Sequence, residues 1–352
     1  MLGALVISIA PKSIPRGVRV MAGNSFYEYY LSWANPARRA YSTGLSLSLP
    51  AAYSSSQVIV VCGMGGSGAA GDYLASISAR YGGTPVIALK EADPPSWVSR
   101  GALVYAVSFS GNTRETLNCA RRSYELGAHV VAVTTGGRLA AWARERSLPV
   151  AVVEQAPAPR AGWPQLFYTL LGSLIGNGFL NVPGTDVEDS LRLLGEKEAA
   201  EKRAEELASW LHEAKENRVV LAPAPYYPVA VRIRSELAEN AKTASDASQV
   251  PESGHNILEG WASEGRYHFL VVDPGEEPWS KLLEEFVALA RPADFHVEKL
   301  LGDNMVSKMV WGTWLAGLSS VKLAAMKGVD AEKLSAIKMF RRVVEETTEW
   351  GA

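Results

Sequence analysis

Residues 57–68 read QVIVVCGMGGSG and residues 103–113 read LVYAVSFSGNT. Each stretch is an unbroken apolar, β-branched run that stops abruptly in a loop of glycines or hydroxyls. Runs of this kind, without polar alternation, belong to strands covered on both faces, as in a parallel sheet. Working outward, similar runs lie at 85–89 (PVIAL), 129–133 (HVVAV) and 149–153 (PVAVV). Between them the spacing predicts helices over 69–80 and Arg114–Glu125. Strands alternating with helices imply an α/β fold with a parallel, doubly wound sheet.

The stretch 155–164, QAPAPRAGWP, holds three prolines in ten residues and interrupts the alternation. A domain boundary is expected there, giving one unit over 21–155 and a second over 156–352. The second unit opens with predicted helices over 165–175 and 187–215. A strand over 218–222, a helix over 229–242 and strands near 267–272 and 293–297 follow. Two long helices, 304–327 and 331–347, close the chain. The second unit is therefore α/β again, richer in helix.

Composition narrows the function classes. In 352 residues, 47% are hydrophobic and 20% charged, enough apolar material for sizeable cores. Thirty-five basic against 37 acidic residues leave a formal charge of −2, so no positive excess attracts a nucleic acid. Cys62 and Cys119 alone make neither a disulfide framework nor a zinc site. The apolar run 1–10 has no basic residue before it and is a poor signal peptide. No run of about 20 apolar residues predicts a membrane span. A cytoplasmic location is expected, with Met21 a plausible alternative start and residues 1–20 an extension.

The two loops carry the chemistry. Glycines at 63, 65, 66 and 68 let the backbone approach an anion, and a helix N-terminus supplies N–H groups to it. The same spacing fits the dinucleotide fingerprint, which asks for an acidic residue at the end of the next strand. That strand runs instead into Leu89-Lys90-Glu91, where only Glu91 could serve. The loop at 108–113 offers three hydroxyls, Ser108, Ser110 and Thr113, at the start of a helix. One hydroxyl suffices for an N-cap. Three beside a second glycine loop point to a phosphate held by neutral donors.

GMGGSG followed by SFSGNT at the next strand but one resembles a sugar isomerase (SIS) domain. Three later segments, Ala158-Pro159-Arg160-Ala161-Gly162, Glu236-Leu237-Ala238-Glu239-Asn240 and Glu252-Ser253-Gly254-His255-Asn256, narrow the resemblance. With a lysine in the last helix, they resemble the archaeal bifunctional phosphoglucose/phosphomannose isomerases from about Ser54 to the C-terminus. The resemblance implies two SIS domains, each a parallel sheet flanked by helices in the flavodoxin-like manner. It also implies an aldose–ketose isomerase working on hexose 6-phosphates through a cis-enediol, needing neither metal nor cofactor.

Site roles follow from the same resemblance. Gly66, Ser67, Ser108, Ser110 and Thr113 would hold the phosphate, and Glu239 would carry the proton. Arg160 would stabilise the enediolate. His255 and Lys338 would open the sugar ring, with His255 supplied by the neighbouring subunit of a homodimer. Glu236 is expected to be structural, His129 and His268 are expected to pack, and Lys333 competes with Lys338. One departure stands out. Relatives acting on mannose 6-phosphate carry a threonine about two turns before the lysine, where this chain has Asp330-Ala331-Glu332, and no threonine lies in 316–342. Two other readings remain open at this point: a sugar-phosphate-binding module without catalysis, and an NAD-dependent dehydrogenase built on GMGGSG.

Overall fold

A computed structural model describes residues 25–214 and 216–350. The expected extension over 1–20 lies outside these residues. Two helices, α1 (Ser25–Leu31) and α2 (Ala34–Leu45), come first. Then follow β1 (Val58–Cys62), α3 (Gly65–Tyr81), β2 (Val86–Leu89), β3 (Ala102–Val107), α4 (Arg114–Glu125), β4 (His129–Thr134), α5 (Gly137–Glu145) and β5 (Val150–Val152). Helices α6 (Trp163–Gly176), α7 (Gly184–Leu193) and α8 (Lys197–Glu213) lead to a second series. It runs β6 (Arg218–Pro223), α9 (Tyr227–Ala241), β7 (Asp246–Val250), α10 (Leu258–Glu264), β8 (His268–Asp273), α11 (Trp279–Ala290), β9 (Asp294–Lys299), α12 (Met305–Met326) and α13 (Ser335–Thr347).

The first sheet has the order β2-β1-β3-β4-β5 and the second β7-β6-β8-β9, every pair parallel. The expected doubly wound α/β architecture is present twice. Strand β3 is buried at all six positions, which is why its sequence shows no alternation. Helix α12 is apolar around its whole circumference and is buried from Met305 to Ala324, packing against α7, α8 and α9. Its start is fixed by a reciprocal cap in which Asn304 Oδ1 accepts from Ser307 N at 2.9 Å. One continuous apolar core joins residues of both sheets, α1 and α12.

Several predicted boundaries move. The expected helix over 187–215 is two helices, α7 and α8, broken around Gly195, the residue with the poorest helix propensity in that stretch. Strand β7 and helices α10 and α11 were not foreseen. Helix α13 begins at Ser335 rather than 331, after a turn in which Asp330 Oδ1 accepts from the backbone N–H groups of Glu332 and Lys333.

Candidate functional site

In the first sheet the strand order reverses at β1, so the loops leaving β1 and β3 diverge to opposite faces. A crevice opens between them at the carboxyl ends of the strands, the position where doubly wound sheets take ligands. GMGGSG and SFSGNT are those two loops. Met64 occupies the N-cap of α3 and Thr113 that of α4, and neither side chain caps its helix. Thr113 Oγ1 instead meets Ser108 Oγ at 2.9 Å, with Ser108 fully buried. The first N–H groups of both helices therefore lack side-chain caps on the crevice side, the arrangement that favours an anion.

The loops are tied to each other. Ser67 Oγ accepts from the backbone N–H of Phe109 at 3.3 Å, and Ser110 Oγ, more exposed, accepts from Asn112 N at 3.2 Å. The Phe109 ring lies across Gly162, where a Cβ would come within 2.3 Å of it. This contact brings the proline-rich segment 157–164, and with it Arg160, to the phosphate loops. A Cβ on Gly66 would sit 3.7 Å from Arg160 Cα.

Arg160 is 3% exposed and held on three sides. Its Nε donates to Asn240 Oδ1 at 2.5 Å and its Nη2 to the Ala331 carbonyl at 2.6 Å. The Phe26 ring stacks under the guanidinium at 5.0 Å. The remaining Nη1 faces Glu239 Oε2 at 3.8 Å, and the Glu239 side chain is 24% exposed. Helix α9 ends just beyond, at Lys242 in the left-handed conformation, whose Nζ donates to the otherwise open Glu239 carbonyl at 2.7 Å. Burial lowers the Lys242 ammonium from its ordinary range. The pair Glu236 and Glu239 is divided by environment. Glu236 is fully buried against Arg232, and burial raises its carboxyl against the pull of that guanidinium.

Five of the sequence-predicted positions, Gly66, Ser67, Ser108, Ser110 and Thr113, thus line one crevice, and Arg160 and Glu239 meet beside it. His255 and Lys338 do not join them by direct contact among the described residues. His255 is exposed on a short 3₁₀ turn after β7, and Lys338 is exposed on α13. A cavity of about 280 Å³ beside that turn, between Tyr227, Gln249, Glu252 and Asn256, is separate from Glu239. Helix α13 is anchored at both ends near the crevice, by Ala331 to Arg160 and by the Trp350 carbonyl to Arg114 Nη1 at 3.4 Å. The Ala331 position therefore offers its backbone carbonyl to Arg160. His129 stacks on Tyr53 at 4.3 Å. His268 leads β8 with a buried Nδ1 that finds no partner.

Sequence reasoning missed Phe26, Tyr30, Arg232 and Asn240. The first two reach the site from α1 across more than 130 residues of chain, and no local pattern announces them. Arg232, Glu236 and Asn240 were legible in principle, being four apart on one helix. Among the described residues, no group of three or more His, Cys, Asp or Glu could hold a metal ion, and no helix is long and apolar enough to cross a membrane.

The fold and the crevice define a protein with paired SIS domains. Residues 52–158 match the family described as SIS domain, and residues 200–344 match the bacterial phospho-glucose isomerase C-terminal SIS domain. A bifunctional phosphoglucose/phosphomannose isomerase of Aeropyrum pernix is 33% identical, over 91% of this chain and 98% of that one. The chain belongs to the bifunctional phosphoglucose/phosphomannose isomerase family. A D-glucosamine-6-phosphate 4-epimerase of Sulfolobus acidocaldarius is also similar, 28% identical over 86% of this chain and 93% of its own. Among solved structures, the C-terminal domain of a glucosamine-fructose-6-phosphate aminotransferase from Francisella tularensis shares the fold. Its TM-score is 0.69 at 16% identity, covering 90% of this chain and all of that one.

Proposed function

We propose that this chain interconverts glucose 6-phosphate and fructose 6-phosphate, and mannose 6-phosphate as well, through a cis-enediol. The observation that carries the reading is the meeting of Arg160 Nη1 and Glu239 Oε2, 3.8 Å apart, beside two uncapped helix N-termini. The phosphate is received by Ser67, Ser108, Ser110, Thr113 and the backbone at Gly66. This anchors the far end of the open-chain sugar and leaves C1 and C2 toward Glu239. The Glu239 carboxylate removes the C2 proton of the aldose, and the charge that develops on oxygen is met by the Arg160 guanidinium. A hydroxyl proton passes from O2 to O1 in the enediol, and the protonated Glu239 returns its proton to C1, giving the ketose. Glucose and mannose 6-phosphates differ only at C2, which is planar in the enediol, so one intermediate leads to both.

His255 and Lys338 serve ring opening, with His255 coming from a second copy of the chain. The exposure of His255 supports this, as does the unpartnered apolar side of α13, where Met339 is 66%, Phe340 65% and Val343 49% exposed. The active form in this reading is a cytoplasmic homodimer, each protomer divided near residues 155–164. The test is Glu239→Gln, which keeps the shape and removes the base. Its kcat for fructose 6-phosphate should fall by about 10²–10⁴ while the sugar phosphate still binds. A variant that turns over within tenfold of the parent removes Glu239 from the mechanism.

A further inference from the structure

Arg160 is gripped by a closed circuit of buried side chains, one of which, Arg232, also approaches the GMGGSG loop: its Nη1 lies 3.3 Å from where a Cβ on Gly66 would sit. Its Nε donates to Asn240 Oδ1 at 2.5 Å, and Asn240 Nδ2 donates to Glu236 Oε2 at 2.7 Å. Glu236 Oε1 accepts from Arg232 Nη2, which also donates to the Arg160 carbonyl at 2.6 Å. The circuit thus starts at the Arg160 guanidinium and returns to the backbone of the same residue. Arg232, Glu236 and Asn240 stand four apart on one face of α9, exposed by 2%, 1% and 0%. Tyr30 OH from α1 adds a bond to Glu236 Oε2 at 2.9 Å.

Asn240 is the member that decides how the guanidinium points. Its Nδ2 is committed to Glu236 and to Ser320 Oγ at 2.9 Å, so only its Oδ1 can face Arg160. A guanidinium has donors only, and its fork is rigid and planar. Once Nε is fixed on Asn240 and Nη2 on the Ala331 carbonyl, Nη1 is the edge left toward Glu239. Among the described residues, no other side chain hydrogen-bonds both to the guanidinium and to the buried ion pair.

We propose that Asn240 is a positioning residue: through Arg160 it aims the guanidinium at the charge formed during proton transfer. The proposal rests on the reading of Arg160 given above and extends it to a residue with no assigned role. Its rival is a purely structural polar core, in which Asn240 only satisfies Glu236. The two differ in what happens once Arg160 is gone. A positioning residue then has nothing left to position, whereas a structural one costs the same in either background.

The test is a double-mutant cycle on the full chain, with kcat, KM and Tm measured for fructose 6-phosphate turnover. Arg160→Ala should lower kcat about 100-fold or more. Asn240→Leu, close in size but unable to hydrogen-bond, should lower kcat about 10- to 100-fold with KM within about twofold. In the Arg160→Ala background the same change should move kcat by less than about twofold. Should Asn240→Leu fail to fold, Asn240→Ser carries the same comparison. Equal losses in both backgrounds, a rise in KM alone, or an unchanged kcat overturns the proposal. If instead Arg160→Ala keeps near-parental kcat, the role of Arg160 itself fails, whatever Asn240 does.

Discussion

Thr113 does not use its hydroxyl to cap its own helix. It sits at the N-cap of α4, where threonine ordinarily bonds the helix's own backbone, yet its hydroxyl meets Ser108 Oγ instead. Because no cap bond is lost, Thr113→Val should lower Tm by no more than about 2–4 °C. If the hydroxyl also serves a phosphate, KM for fructose 6-phosphate should rise about tenfold, the value of a hydrogen bond to a charged group. Thermal melting and steady-state kinetics on one preparation check both. A large Tm loss with unchanged KM would return Thr113 to a stabilising role. At this scale the sequence was readable wherever a motif was local. Three hydroxyls in six residues announced the loop, and the ELAEN segment announced Glu239. The grip on Arg160 was not readable, since it depends on Phe26 and Ala331, which approach only through the fold.

Among elements, the loop between β3 and α4 turns on Gly111. Its φ of +69° suits glycine, and an added Cβ would lie 1.9 Å from the Gly136 carbonyl and 2.8 Å from Thr134 Oγ1. Both are firm neighbours, one backbone and one fully buried. Gly111→Ala should therefore cost more than about 2 kcal/mol in denaturant unfolding and should displace Ser108 and Ser110 together. A midpoint unchanged from the parent would show that the loop relaxes freely. Buried strands such as β3 were legible because burial on both faces forces a continuous apolar run. Strand β7, Asp246–Val250, was not, because it is an edge strand with a polar, partly exposed sequence that pairs only with β6. Its pairing gives it a strand's shape that its residues do not ask for. Helix α11 was overlooked although Leu283, Phe286, Val287 and Ala290 follow a helical period.

Over the whole molecule, the two sheets repeat one plan with opposite chemistry at the crevice. Where the first sheet places Ser108 and Thr113 after its central strand, the second places Asp273 at the end of β8 and Glu276 beyond it. Glu276 accepts from Tyr226 OH and Lys308 Nζ, each at 2.7 Å, so this carboxylate is already engaged by protein groups. Burial raises the Glu276 carboxyl, but the Lys308 and Tyr226 bonds outweigh it and hold it below its ordinary range. A lowered carboxyl stabilises the fold above its unfolded value, and that stability is lost as pH falls through the folded one. Glu276→Gln should accordingly lose less stability than the parent between about pH 5 and pH 3. Parallel unfolding curves across that window would contradict the sign. The proposed pairing of copies makes a separate prediction. Glu239→Gln and His255→Ala should each be inactive alone, and mixing them should restore part of the activity after subunit exchange, since one hybrid site then holds both intact groups. No recovery from exchanged subunits would place His255 within its own protomer or outside the site.

The most direct measurement incubates the purified chain with fructose 6-phosphate, without added metal or cofactor, and quantifies glucose 6-phosphate and mannose 6-phosphate separately. Formation of both is expected, although no threonine lies in 316–342. Neither product, from folded protein that still binds the sugar phosphate, would contradict isomerisation at Glu239.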